Sequence, residues 1–496
     1  MTLGYESYKY NSENVYATGQ NLYKPNDFTV NNTIDKKRGG GSYGEYATQG
    51  YFGRLNWNWD EKYFLSGSYR RDASSRFHPD NRWGNFWSAS AAWVISKEDF
   101  MDDADWVDML KVKASFGQQG NDNIGNYYAY LDQYTVTGAD GVFADGTLAY
   151  KGNPELTWEK SNAYNIGADF SFFKGKLSGT IEYFGRQTSD MLYYKSVALS
   201  NGYADIPVNI GSMTNSGVEI ELNATPIKNR NFKWDIYANA TFQQNKINEL
   251  APELNGEYIS GTTIYREGET RYQYYLPRYA GVDPNTGLAL YYAKTTAPAD
   301  ATEEEIAAFV PEEYVTTDWS IASKTGREAT GDLAPDVYGG FGTSIEFFGF
   351  DFSMQFAYQL GGKLYDNTYA TLMHGGSSSD AGHNWHKDIA NAWTPENRYT
   401  DVPRLNSEDQ YTNAQSDRWL VSSNYLSLNN ITLGYTIPKQ LVRKLGLSSV
   451  RIYGAADNVA LLSARKGLDP RKGIMSQSAS TYSALRTISG GIKITF

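Results

Sequence analysis

The sequence predicts an all-β fold, a transmembrane antiparallel up-and-down β-barrel, on three observations. Apolar and polar residues alternate with period 2 over long stretches, links between these stretches are alternately short and long, and aromatic residues gather at the stretch ends. Period 2 sends successive side chains to opposite faces of a sheet. The alternation of link lengths is the pattern of barrels with short periplasmic turns and longer external loops. Aromatics are 15% of the 496 residues, with 40 Tyr, 22 Phe and 12 Trp, and Tyr and Trp suit a boundary with one wet and one apolar side. No run approaches the roughly 18 to 20 apolar residues that a membrane-spanning helix needs. A membrane protein of this composition therefore crosses as a closed sheet.

In chain order, strands are predicted near 44–59, 62–72, 82–96, 109–117, 161–173, 176–188, 213–226, 231–245, 272–282, 287–293, 336–347, 350–361, 418–437, 449–458 and 484–496. They number about fifteen, or sixteen if "LGYESYKY" (Leu3 to Tyr10) is one. Short links are "DEK" after Trp59, "KGK" after Phe173, "KNRN" after Ile227 and "FG" after Phe347. Long extracellular loops are expected at about 118–160, 188–212, 246–270, 294–335 and 361–416. "TTAPADATEEEIAAFVPEEY" (Thr295 to Tyr314) is acidic and Ala-rich and reads as a short helix in such a loop. "NWNWDEKYF" (Asn56 to Phe64) and "SDRWLVSSNYL" (Ser416 to Leu426) read as interfacial girdles.

The clearest two-faced stretch is "FDFSMQFAYQ", where Phe350, Phe352, Met354, Phe356 and Tyr358 oppose Asp351, Ser353, Gln355, Ala357 and Gln359. "YNIGADFSF", "VEIELNA" and "WDIYANATF" follow the same rule. The expected lumen lining is Asp351, Ser353, Gln355, Glu219, Glu221, Asn223, Asp235, Asn239 and Gln243, a wet surface for polar cargo rather than lipid. The final "SGGIKITF" sends Ile488, Gly490, Ile492, Ile494 and Phe496 to lipid, and Ser489, Gly491, Lys493 and Thr495 to the lumen. Phe496 then marks the periplasmic end and sets the parity of every strand.

A net charge of -11 with only the short "DKKRGG" (Asp35 to Gly40) as a basic run argues against nucleic acid. With 0 Cys there is no disulfide framework and no thiolate chemistry. Of the four His, His78 stands apart, whereas His374, His383 and His386 share a Gly/Ser-rich stretch without a third ligand at a characteristic spacing. "DPNTG" (Asp283 to Gly287) and "NDNIG" (Asn121 to Gly125) resemble the start of a calcium loop but lack the following Glu, and make turns. By parity "DPNTG" is expected to be a periplasmic turn. No nucleophile elbow, phosphate loop or zinc helix is present. No enzyme, catalytic residue, metal or cofactor is expected.

"YFGRLNWNWDEKYFLSGSYRRDASSRFHPDNRWGNFWSASAAWVISKEDF" (Tyr51 to Phe100) and "LKVKASFGQQGNDNIGNY" (Leu110 to Tyr127) resemble the barrel of SusC/RagA-type TonB-dependent transporters. So do "NPELTWEKSNAYNIGADFSFFKGKLSGTIEYF", "NSGVEIELNATPI", "AWTPENRYTDVPRL" and "YLSLNNITLGYTIP", in order along nearly the whole chain. The resemblance implies a barrel of 22 strands around an N-terminal plug, so residues 1–496 correspond to the C-terminal part of the barrel, with no plug domain, TonB box or signal. "MTLGYESYKY" opens directly into strand-like sequence, and a truncated or internally started chain is expected. The resemblance further implies the outer membrane of a Gram-negative, Bacteroidetes-like bacterium, a SusD-like surface lipoprotein as lid, and the TonB complex acting through the missing N-terminal part. Import of oligosaccharides or peptides follows from it, with ligand residues unassigned. Trp385 and Tyr399 are loop aromatics able to stack on sugar rings or to pack the loop itself. Two alternatives stay open: a passive porin-like channel of about sixteen strands, and a soluble glycan-binding β-sandwich.

Overall fold

A computed structural model describes residues 1–139, 142–380, 382–472 and 484–496. Residues 140, 141 and 381, within two of the expected long loops, lie outside the described residues. Fourteen strands form one main sheet. They are β1 (Thr2–Leu22), β2 (Thr33–Trp59), β3 (Tyr63–Ser74), β4 (Trp83–Val94), β5 (Val107–Asn121), β6 (Glu159–Phe172) and β7 (Leu177–Ser189). Then follow β8 (Ser212–Lys228), β9 (Phe232–Glu249), β10 (Val337–Phe347), β11 (Phe350–Leu360), β12 (Tyr425–Thr436), β13 (Ser449–Ser463) and β14 (Thr487–Thr495). Each pairs antiparallel with the next in sequence, and β1 and β14 are the two edges. A single up-and-down sheet replaces the two facing sheets of a sandwich, so the sandwich alternative falls. The strands reach 21 residues in β1 and 27 in β2, far beyond the ~5 or 6 of soluble sheets.

The short turns sit at one end of the sheet. Phe348 and Gly349 close β10 to β11 with φ of 46° and 90°, the two positive values of a hairpin turn whose twist matches the strands. The link after β6 uses Phe173, Lys174 and Gly175, all at positive φ. There the Asp108 carboxylate accepts from the backbone N–H of Lys174 (3.1 Å) and Gly175 (2.8 Å). Asn229 caps the β8–β9 turn by accepting from the N–H of Asn231 and Phe232.

Register separates the two faces row by row. Ile166, Tyr183, Val218, Phe242 and Val337 stand opposite one another across β6 to β10 on the outer face. Thr180, Glu221, Asn239 and Gly340 do so on the inner face. On β14, Ile492 stands opposite Ile452, and Lys493 opposite Arg451.

The chain departs from the expected strands in several places: β1 and β2 run beyond 3–10 and 44–59, the strand expected at 418–437 begins at Tyr425, and two segments leave the wall. Segments 272–282 and 287–293 are not in the wall. They lie inside one long loop, 250–336, as Gln273–Pro277 in a four-stranded sheet and Tyr279–Val282 with Ala289–Lys294 in a three-stranded one. "DPNTG" is therefore a hairpin tip at the long-loop end, not a periplasmic turn. Asp283 accepts from the N–H of Asn285 (3.0 Å) and the hydroxyl of Thr286 (2.6 Å), which is the turn chemistry of Asp at this position. Burial alternates along Ala289–Lys294, with Ala289, Tyr291 and Ala293 in a loop core, because a strand lying on any apolar body buries every second side chain. Two helices complete this loop, α1 (Glu303–Ala308) and α2 (Trp319–Thr325). A capping box starts α1, with Thr302 N–H donating to Glu305 at 2.8 Å and Glu305 N–H to Thr302 at 3.3 Å.

"SDRWLVSSNYL" also differs. Leu420–Ser422 pairs with Lys363–Tyr365 inside loop 361–424, and Trp419 is 1% exposed in the loop core, so this tryptophan belongs to no girdle. Among the described residues no helix is long and apolar enough to cross a membrane.

Candidate functional site

The inner face and the loop mouth above it carry the polar chemistry. All nine residues expected to line the lumen share the inner face. Hydrogen bonds hold five of them, Glu221, Asn223, Asp235, Asn239 and Asp351. Asn223 donates to Glu221 (3.1 Å), Thr225 to Asp235 (2.7 Å), and the N–H of Gly340 to the Asn239 side chain (2.9 Å). Arg451 grips Asp351 through two nitrogens, Nε at 2.8 Å.

The sequence left a second stretch of inner wall unassigned, on β1 to β7. Arg70 reaches Glu6 at 2.8 Å and Asp72 at 2.7 Å and lies over the Phe52 ring. Lys113 bridges Asp169 and Glu182, each at 3.0 Å. Between these charged groups the wall is lined by Ser66, Ser68, Ser88, Ser90 and Ser115, with Ser68 and Ser88 hydroxyls 2.6 Å apart. Short side chains leave concavities of about 670 and 700 Å³ against the wall. Their signal in sequence was the Ser on alternate positions of "SGSYRR" and "SASAAW", which reads equally as spacing between apolar residues.

The loops fold on cores of their own. Phe77, Phe86, Ile124, Ala129, Leu156 and Trp158 join loops 75–82 and 122–158. Asp122 of "NDNIG" is a tie point, accepting from the hydroxyls of Tyr46 (2.7 Å) and Ser74 (2.5 Å), while Arg76 lies over the Tyr46 and Tyr127 rings. Tyr274, Leu276, Leu333, Tyr365, Met373 and Trp419 form a second core between loops 250–336 and 361–424. Here Asp417 accepts from Tyr279 N–H at 2.7 Å. Burial nonetheless raises the Asp417 carboxyl above its ordinary value, and burial pushes the Tyr279 phenol up to about 12. Arg465, from the loop after β13, grips the buried Asp366.

Trp385 stacks on His374 and donates its Nε1–H to the His374 carbonyl (2.9 Å), so it packs the loop. Tyr399 is 95% exposed. His386 accepts from Asp388 N–H (3.2 Å) and starts a helical turn, and His78 lies edge-on to Tyr130. Among the described residues no group of three His, Asp or Glu is arranged to hold a metal. The inner face and mouth thus offer hydrogen bonds and paired charges to a polar solute.

A family model described as TonB dependent receptor-like, beta-barrel matches residues 2–323. TonB-dependent receptor P3 of Formosa agariphila is 29% identical over 431 residues, covering 84% of this chain and 41% of that protein. TonB-dependent receptor SusC of Bacteroides thetaiotaomicron is 29% identical over 535 residues, covering 99% of this chain and 50% of that protein. Among solved structures, the RagAB peptide transporter aligns over 100% of this chain and 53% of that chain, with a TM-score of 0.83 and 26% identity. The chain spans about half the length of the curated relatives it matches.

Proposed function

Since the chain belongs to the TonB-dependent receptor β-barrel family, we propose that it forms part of the wall of an outer-membrane importer that takes up oligosaccharides or peptides. The observation that carries this reading is the register. Across β6 to β10 the rows alternate between an apolar outer face and a polar, hydrogen-bonded inner face, which is how one sheet serves lipid and water at once. The long loops face outward and a SusD-like lipoprotein covers them, by kinship with SusC and with the RagAB structure. The TonB complex supplies energy through the rest of the transporter, and the importer carries out no covalent chemistry on its cargo.

The test uses the full-length gene. Deleting it should abolish growth on at least one class of oligosaccharide or peptide, and a wild-type copy should restore growth. A copy lacking its TonB-interacting segment should not. Restoration by that uncoupled copy would make the protein a passive channel. A SusD-like lipoprotein should co-purify with the wild-type protein in detergent, and its absence would remove the lid from the reading.

A further inference from the structure

The outer face is framed by two aromatic levels. At the short-turn end stand Trp57, Trp59, Tyr63 and Trp93, with Tyr63 and Trp93 stacked 6.4 Å apart. Toward the long loops stand Tyr5, Tyr51, Tyr69 and Trp83, with Tyr5 and Tyr51 centroids 5.0 Å apart and Tyr51 stacked on Trp83. Among the described residues between these levels the outer face is apolar or carries neutral polar groups, with one exception, Arg71. It is exposed, directly opposite Tyr51 on β2 and Asn85 on β4, and its guanidinium lies 5.1 Å from the Trp83 ring centroid. Asn85 already accepts from the Tyr69 hydroxyl at 2.8 Å. No carboxylate among the described residues pairs with Arg71.

A cation at the bilayer centre is costly, and an arginine on a lipid-facing surface is tolerated where its head reaches the headgroup level. Tyr63 and Arg71 lie eight residues apart on β3, roughly 26 Å along the strand and about 20 Å of membrane height at the usual tilt, close to the full ~25 Å apolar band. Arg71 therefore sits at the upper boundary, beside the aromatic girdle, with no hydrogen bond to its fork of donors among the described residues. A planar fork matches phosphate in two-point hydrogen bonding.

We propose that Arg71, cradled by Tyr51, Tyr69 and Trp83, binds the phosphate of a phosphorylated saccharolipid in the outer leaflet and anchors one lipid at this point of the wall. The proposal rests on the membrane orientation given above. In a Gram-negative outer membrane the leaflet on the long-loop side is built of such lipids.

The experiment uses the full-length transporter in nanodiscs of phosphatidylcholine doped with either bisphosphorylated or dephosphorylated lipid A, and counts retained lipid A by native mass spectrometry. Wild type should retain the phosphorylated form about fivefold better than Arg71→Gln does, with Arg71→Lys in between because ammonium lacks the fork. Arg54→Gln, an inner-face change, should behave as wild type. Equal retention by wild type and Arg71→Gln, or equal retention of dephosphorylated lipid A by wild type, would overturn the phosphate site. Nutrient uptake measured on the same variants separates the two readings, because loss of the lipid site leaves import standing, whereas loss of TonB-dependent uptake in wild type removes the import reading itself.

Discussion

On β6, Ile166 is 60% exposed, whereas in loop 250–336 Tyr291 is 1% exposed, although both sit on strands whose successive side chains point to opposite faces. The wall has almost no interior. Its large apolar side chains, among them Leu65, Leu433 and Ile492, are about half exposed to the surroundings or more, and the clustered buried residues lie mostly in the loops. The loop bodies are organised as a soluble domain is, around buried Trp, Tyr and Met, while the wall borrows its apolar partner from the bilayer. One strand geometry thus serves two energetic schemes, and only the surroundings decide which.

Four changes test that contrast, in descending order of expected effect. Trp419→Ala removes a buried ring that meets Tyr369 and Arg418 and donates Nε1–H to the Ala414 carbonyl at 2.9 Å. It should cost the loop body about 3 to 5 kcal/mol. Limited proteolysis should then cut loop 361–424 while the heat-modifiable gel mobility of the wall stays unchanged; loss of both would mean that the two regions fold as one.

Next, Ile166→Arg places a charge mid-height on the outer face and should cost about 2 to 4 kcal/mol in bilayers. Asn165→Arg, on the inner face beside the Ser-lined concavity, should be tolerated. Equal effects in a liposome folding titration would break the assignment of faces. A smaller loss is expected from Asp366→Asn, which keeps a side-chain oxygen to accept from Tyr369 N–H (3.0 Å) but weakens the grip of Arg465. About 1 to 3 kcal/mol is expected, read as faster amide exchange across α3 (Asn367–Leu372).

The smallest effect is acid-dependent. Arg471 holds Asp469 through two bonds of 2.8 Å and donates to Ser427 of β12 at 2.9 Å. Hydrogen bonding to Arg471 keeps the Asp469 carboxyl below the usual carboxylate range. Its contribution is fully present above the unfolded value of about 3.9 and is lost as pH falls through the lower folded value. Exchange at the end of β13 should therefore be flat between neutral pH and about 5 and should rise only in stronger acid. A rise near neutrality would show that a different group ties this loop.

The two faces of stretches such as Phe350–Gln359 were legible because period 2 is a geometric property of a strand, whereas residues 11–22 and 33–43, which extend β1 and β2, lack a clear alternation. The tight turns were legible as well, since positive φ at Lys174–Gly175 and Phe348–Gly349 follows from residues that tolerate it or links that allow nothing else. Segments 272–282 and 287–293 were misplaced for a specific reason. Tyr279–Val282 and Ala289–Lys294 form a hairpin, and taking an even number of segments out of the wall leaves the parity of every later strand unchanged, so the alternation of links carried no warning. Trp419 was misread because an aromatic beside a strand looks the same at a bilayer boundary and in a loop core.

A sheet with one apolar and one polar face, tight turns at one end and long loops at the other, is written into the local sequence, because alternation and turn chemistry act over a few residues. Only the tertiary structure decided which alternating segments join the wall, how Arg70 meets Glu6 and Asp72, and that Arg71 stands alone among aromatics. Those facts depend on register between strands distant in the chain, such as Glu6 and Arg70, which pairing of backbones fixes and local pattern does not.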